Sequence, residues 1–184
     1  MHVHKSVTGG AIAALSLFAA VATASDGQQW GTNDYNWLRQ GSYGGSLSGL
    51  ISSTNSNTST NINLAGVYLF TNNLGVGPLI GLDAFNSSTN WSLGAVGRYY
   101  LNHTPQSTLI PFVGVTGSYS VPNQGAVKTT TYGGQIGVEY FLKPNVSLTP
   151  AFNYTRTTGS GVGFNTAGFS LGVTWWIDNW SIKY

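Results

Sequence analysis

The sequence predicts an all-β protein, an eight-stranded antiparallel up-and-down transmembrane β-barrel, and three observations carry that prediction. The first is a ribbon from Thr131 to Thr155. At a period of two, Tyr132, Gly134, Ile136, Val138, Tyr140 and Leu142 share one face, and Gly133, Gln135, Gly137, Glu139 and Phe141 the other. After Lys143-Pro144-Asn145 the alternation resumes, with Val146, Leu148, Pro150, Phe152 and Tyr154 against Ser147, Thr149, Ala151, Asn153 and Thr155. That is a β-hairpin whose legs have about the 9 to 11 residues a tilted strand needs to cross a bilayer. The second is that similar ribbons recur along the chain, and none holds the roughly 18 consecutive apolar residues of a spanning helix. The third is composition. Only 7% of the 184 residues are charged, against the usual quarter or so, yet mean hydropathy is just +0.01. Ser, Thr, Asn and Gly have replaced the missing charge, and 25 glycines with 13% aromatics suit a crowded bore and aromatic interfaces.

In chain order, Met1 to Ala24 reads as a secretory signal peptide. His2, His4 and Lys5 start it, Ala11 to Ala22 is apolar, and Ala22-Thr23-Ala24 fits a small-x-small cleavage site. Residues 25–40 form a polar lead-in that carries Trp30, Tyr35 and Trp37, either as a flexible segment or as a cap on a barrel mouth. The barrel occupies 41–177. Its eight ribbons are Ser42 to Ser52, Asn61 to Phe70, Leu74 to Phe85, Trp91 to Leu101, Leu109 to Tyr119, Tyr132 to Leu142, Val146 to Arg156 and Thr166 to Ile177. Residues 178–184 are a tail or the bulged end of the last strand, because Trp180, Ile182 and Tyr184 alternate with parity opposite to Trp175 and Ile177.

Connectors fall into two sets. Thr71 to Asn73, Asn102 to Thr108 and Lys143 to Asn145 are turns, whereas Ser53 to Thr60, Asn86 to Asn90, Ser120 to Thr131 and Thr157 to Asn165 read as longer, Ser/Thr/Asn-rich loops. Membrane barrels carry short turns on the periplasmic side and longer loops outside. Both ends of the chain, and the lead-in, are therefore expected on the periplasmic side. Pro78 and Pro150 lie inside ribbons and are expected at bulges or edges, since proline cannot donate to the ladder.

The segments GRYYL from Gly97, LIPFVGVTGSYS, YGGQIGVEYFLKPNVSL and FSLGVTWW together resemble the small outer-membrane β-barrel family, the OmpA/OmpX-like eight-stranded proteins of Gram-negative envelopes. The resemblance spans roughly Gly41 to Ile177. It implies outer-membrane residence after signal-peptide export, passage through the barrel-assembly machinery, and a structural, adhesive or narrow-channel role.

Lipid-facing Arg or Lys near the bilayer midplane costs about 2–4 kcal/mol. Mid-strand charges must therefore face the bore, and Asp83, Arg98 and Glu139 each share parity with the small polar face of their ribbon. A lumenal cluster follows, in which Arg98 pairs with Asp83 or reaches Glu139, either filling the bore or constricting a thin water path. Lipid is expected to touch Leu64, Leu82, Leu93, Val113, Val115, Ile136, Val138, Leu148, Phe152, Leu171 and Val173. Tyr68, Phe70, Tyr99, Tyr140 and Trp175 are expected at the periplasmic interface, and Tyr43, Trp91, Tyr119, Tyr132 and Tyr154 at the outer one.

Other chemistries find little support. His103 stands in a turn with Thr104 and Ser107 but no acid, short of a nucleophile, base and orienting acid. No metal site is expected from one histidine and dispersed carboxylates, no cysteine occurs, and no cofactor motif appears. With no Lys/Arg run, nucleic acid is not an expected partner. The expectation is a non-enzymatic, monomeric barrel among outer-membrane lipids with a structural or surface-contact role, for instance through the loop Ser53 to Thr60. A narrow passive pore and a lipid-modifying enzyme are the alternatives; a lipocalin-like soluble barrel would require the oily faces to point inward.

Overall fold

The structure, a computed structural model, describes residues 38–54, 57–85, 88–101, 107–121, 128–159 and 161–177, without the side chains of 50–54, 57–60, 83–85, 88–89, 121 and 162. Eight strands follow one another: β1 (Tyr43–Thr54), β2 (Asn57–Leu69), β3 (Leu74–Phe85), β4 (Ser88–Tyr100), β5 (Leu109–Val121), β6 (Thr129–Lys143), β7 (Val146–Gly159) and β8 (Val162–Ile177). Each pairs antiparallel with its sequence neighbour, and β1 pairs with β8, from Tyr43 opposite Ile177 to Ser53 opposite Ala167. The sheet is a closed barrel, so no edge is left unpaired.

The period-two reading places the strands correctly and the oily rows on the outer wall. Leu64, Leu93, Val113, Val115, Ile136, Phe152 and Leu171 are all exposed, Val115 at 66%. Leu82, Val138 and Leu148 are half-buried on the same wall. Val173 departs from its expectation. It shares the outward parity of Leu171 and Trp175 but is only 7% exposed, with Leu47 and Leu148 opposite it on the two flanking strands.

The loops differ from expectation too. Strands of 12 to 16 residues exceed the roughly 9–11 needed for a crossing, and the excess lies in the Ser/Thr/Asn-rich stretches read as loops. Ser53, Thr54 and Asn57 to Thr60 belong to β1 and β2, leaving connectors at only 55–56, 86–87, 122–128 and 160–161. A strand whose two faces are both polar carries no oily alternation to mark it. Gly161 takes φ 77° in the last of these connectors, a left-handed conformation that a two-residue hairpin needs and glycine supplies.

Tyr43 stands at the end opposite to the one expected. It opens β1 opposite Tyr68 and Ile177, so it stands at the end where the chain enters and leaves, not with Trp91, Tyr119, Tyr132 and Tyr154. Its ring lies 4.9 Å from Tyr68, which meets Phe70 edge-on at 4.8 Å.

The prolines behave differently from the bulge or edge expected. Pairing of β2 with β3 lapses opposite Gly77 and Pro78, and that of β6 with β7 opposite Thr149 and Pro150. In both places the ladder resumes in the same register. The missing N–H thus removes rungs without inserting a residue. The one register shift in β6–β7 lies between Phe141 and Lys143.

Candidate functional site

Paired aromatics build the site. In Tyr99-Tyr100, Tyr140-Phe141 and Trp175-Trp176 consecutive side chains must point to opposite faces of the wall. Tyr99 and Tyr140 are exposed and Trp175 half-buried, while Tyr100, Phe141 and Trp176 are buried. The inward members meet Leu38, Val67, Leu69, Val96, Ile110 and Phe112 in an apolar cluster filling the bore at the turn end, the end that holds Thr71 to Asn73 and Asn145. Tyr100 packs 5.9 Å from Phe112 and 6.2 Å from Trp176, centroid to centroid. The Trp176 indole lies over Gly44, where a Cβ would approach it to 2.9 Å, so only glycine leaves the ring its place.

Leu38 seals the base, and the backbone holds it there. Gly41 N donates to Leu69 O at 2.8 Å, Ser42 N to Arg39 O at 3.0 Å, and Gln40 N to Asn72 Oδ1 at 2.9 Å.

Against this cluster sits the ion pair. Arg98 on β4 and Glu139 on β6 are separated by β5, which narrows the gap by presenting Gly114 opposite Arg98. Arg98 Nη1 donates to Glu139 Oε1 at 2.9 Å, and the two side chains are 8% and 0% exposed. The guanidinium carbon lies 4.8 Å from the centroid of Phe112, a cation–π contact. The second carboxylate oxygen accepts from Ser147 Oγ and, at 2.9 Å, from Thr149 Oγ1, which also lies 3.1 Å from Thr174 Oγ1. A carboxylate buried among donors is thereby satisfied on both oxygens. Among the described side chains Glu139 is the sole carboxylate, while Arg98 Nε and Trp176 Nε1 are buried without a protein acceptor.

Of the expected cluster, then, the structure brings Arg98 to Glu139 across one strand. Asp83 stands opposite Asn61 and Asn90 in the backbone register, but its side chain lies outside the described residues. So do His103, the signal segment, residues 25–37 and the tail 178–184. Among the described residues no group of three His, Cys, Asp or Glu could hold a metal ion. Toward the other end the inward side chains are small and polar. Asn153 Nδ2 donates to Ser170 Oγ at 2.8 Å, and Thr131 and Thr157 hydroxyls meet at 2.9 Å.

The apolar plug is not legible in the period-two pattern, which sends oily residues outward. The doubled aromatics were the available signal, since one of each pair has to enter the bore.

No protein-family model and no curated protein matches the chain. Solved structures do. The N-terminal β-barrel domain of OprF from Pseudomonas aeruginosa aligns with a TM-score of 0.57 at 15% identity, over 75% of this chain and 98% of that one. Neisserial surface protein A aligns at 0.56 and 18%, over 74% and 97%. A de novo designed transmembrane β-barrel aligns at 0.54 and 17%, over 76% and 98%. A designed barrel fits about as well as natural ones, so the likeness lies in architecture. The chain has the fold of the small eight-stranded outer-membrane β-barrels.

Proposed function

We propose that the protein is a non-enzymatic barrel of the Gram-negative outer membrane, exported by its N-terminal signal and serving envelope structure or surface contact. Its chain ends would face the periplasm and its extended hairpins the outside. The observation that carries this reading is the pairing of an oily outer wall with a packed bore. A row of exposed Leu, Ile, Val and Phe lies between Tyr43, Tyr99 and Tyr140 at one end and Trp91, Tyr119, Tyr132 and Tyr154 at the other. Acyl chains match such a wall, and aromatic rings match its two interfaces. Inside, Trp176, Tyr100, Phe112, Ile110 and Leu69 are fully buried at the turn end, an arrangement that supports a stabilising plug over a conduit.

Membrane fractionation with gels run before and after boiling tests residence. A closed membrane barrel should migrate faster unboiled and partition into detergent, whereas solubility without detergent would refute the reading. Planar-bilayer recording of the purified protein tests the plug. A closed trace is expected, and steady unitary conductance would favour the passive pore.

A further inference from the structure

We propose that the inner faces of β2, β3 and β4, at the loop-end mouth of the bore, form a low-affinity calcium site, with Asp83 as its charged ligand and Asn61, Asn63, Asn90 and Ser92 as neutral oxygen ligands. The inference goes beyond the envelope reading above and needs only the barrel. It starts from an acid left without its expected partner. Asp83 stands opposite Asn90, and the run from Asn90 to Arg98 along β4 is about 26 Å at a strand rise of about 3.3 Å. An arginine side chain does not cover that distance, and Arg98 is spent on Glu139. Strands β1 to β5 hold one acid, Asp83, and one base, Arg98. Arg156, nearer the loop end, lies on the outward row of β7 with Tyr154. A carboxylate on the inner wall calls for a cation, and these strands supply none beside it.

Its neighbours offer oxygens. Asn61, Asp83 and Asn90 fall in one register row across the three strands, and Asn63, Gly81 and Ser92 in the next. All take the inward parity, since Ile62, Leu82 and Trp91 between them belong to the outer wall. Gly81 lets them converge. A Cβ there would lie 2.9 Å from Asn63 Oδ1, 3.6 Å from Asn61 Nδ2 and closer still to Ser92 Oγ, so side chains from β2 and β4 already lean together over the glycine. A half-turn of the Asn61 amide exchanges its Nδ2 for Oδ1. Calcium holds oxygens at about 2.4 Å, so two ligands across the ion lie about 4.8 Å apart, the spacing of adjacent strands. Among the described residues no three His, Cys, Asp or Glu gather, which turns the site away from transition metals and toward a hard cation that accepts neutral oxygens. Bound there, the ion ties β2 to β3 on the loop side of Pro78, where their ladder lapses.

The test uses the full-length mature protein in dodecyl maltoside micelles, with heat-modifiable migration establishing a folded barrel first for every variant. Calorimetric titration with CaCl2 is expected to give one site with a Kd of about 10⁻⁴–10⁻³ M, the range of calcium modules outside cells. Mg2+ should bind about tenfold more weakly, because it demands a smaller, near-ideal octahedron. Asp83→Asn should weaken Ca2+ binding at least about tenfold and abolish the rise in unfolding temperature that Ca2+ gives wild type. Ser92→Ala keeps every charge and should still weaken binding, which separates ligation from the loss of a surface charge. Asp178→Asn, in the tail, removes an acid and should bind as wild type does. A folded wild type without saturable Ca2+ uptake overturns the site, as does Mg2+ binding as tightly as Ca2+, or an Asp83→Asn barrel indistinguishable from wild type. Should Asp83→Asn not fold, Ser92→Ala decides, and unchanged binding there overturns the site.

Discussion

Glu139→Gln holds side-chain volume nearly constant and removes one charge from the bore, so it isolates what the ion pair contributes. At an effective dielectric of about 20, charges 2.9 Å apart attract by roughly 6 kcal/mol. Desolvating each ion costs several kcal/mol, so the intact pair is close to break-even. The variant is not, because Arg98 stays 8% exposed without a counter-charge. Removing one partner of a buried pair costs about 3–5 kcal/mol, and a misdirected amide N–H toward Ser147 or Thr149 adds to it. Replacing both, Arg98→Met with Glu139→Leu, should recover most of that loss, because an apolar pair of similar volume is often neutral or better. Urea unfolding of the refolded barrel in detergent micelles, followed by tryptophan fluorescence, measures each arm of the cycle. A Glu139→Gln cost below about 1 kcal/mol, the range of exposed pairs, would refute the desolvated pair. So would a double variant as unstable as the single one.

Three further outcomes follow from the wall and the plug. Ile136 lies midway between Tyr132 and Tyr140 on the outer face and is exposed, so Ile136→Arg should cost about 2–4 kcal/mol in lipid bilayers. A soluble barrel would register within roughly 0.5 kcal/mol for the same surface change, and unfolding in vesicles distinguishes the two. Gly137→Ala should lose about 1–3 kcal/mol by overpacking, since its Cβ would lie 2.6 Å from Pro150 O and 2.8 Å from both Ala151 and the Phe112 ring. Gly45→Ala, with nothing within 4 Å, is the matched control and should be neutral by the same assay. Trp176→Ala should cost about 3–5 kcal/mol and is the variant in which bilayer recordings would first show current.

Where an oily outer wall backs a polar bore, the sequence is legible, because the two faces write alternate residues. That is why the eight ribbons, the inward glycines and the facing of Arg98 and Glu139 could be read in advance. The rule fails in three places for three reasons. Ser53, Thr54 and Asn57 to Thr60 carry no alternation of oily and polar residues, so strand and loop look alike there. At the base of the bore both faces are apolar, which hid Val67, Leu69 and Phe112 behind the wall's own pattern. Tyr43 opens the first ribbon, and an aromatic at a ribbon's start says that an interface is near without saying which. The choice of Glu139 as the partner of Arg98 was also open, because parity fixes a face and not a height; the stagger of β4 against β6 supplied the height.

The plug at the turn end makes the barrel resemble a thimble with its weight in the base. Trp176, Tyr100, Phe112 and the ion pair sit there together, at the opposite end of the strands from Thr54, Asn57, Phe85, Ser88, Gly159 and Val162, where β1–β2, β3–β4 and β7–β8 are joined. Doubling the length of a flexible loop costs only about 0.6 kcal/mol, so peptides grafted at those hairpin tips should leave the base undisturbed. The rim is then free to diversify in sequence, or to carry grafted peptides, while the base keeps the buried aromatics and the ion pair that hold the bore together.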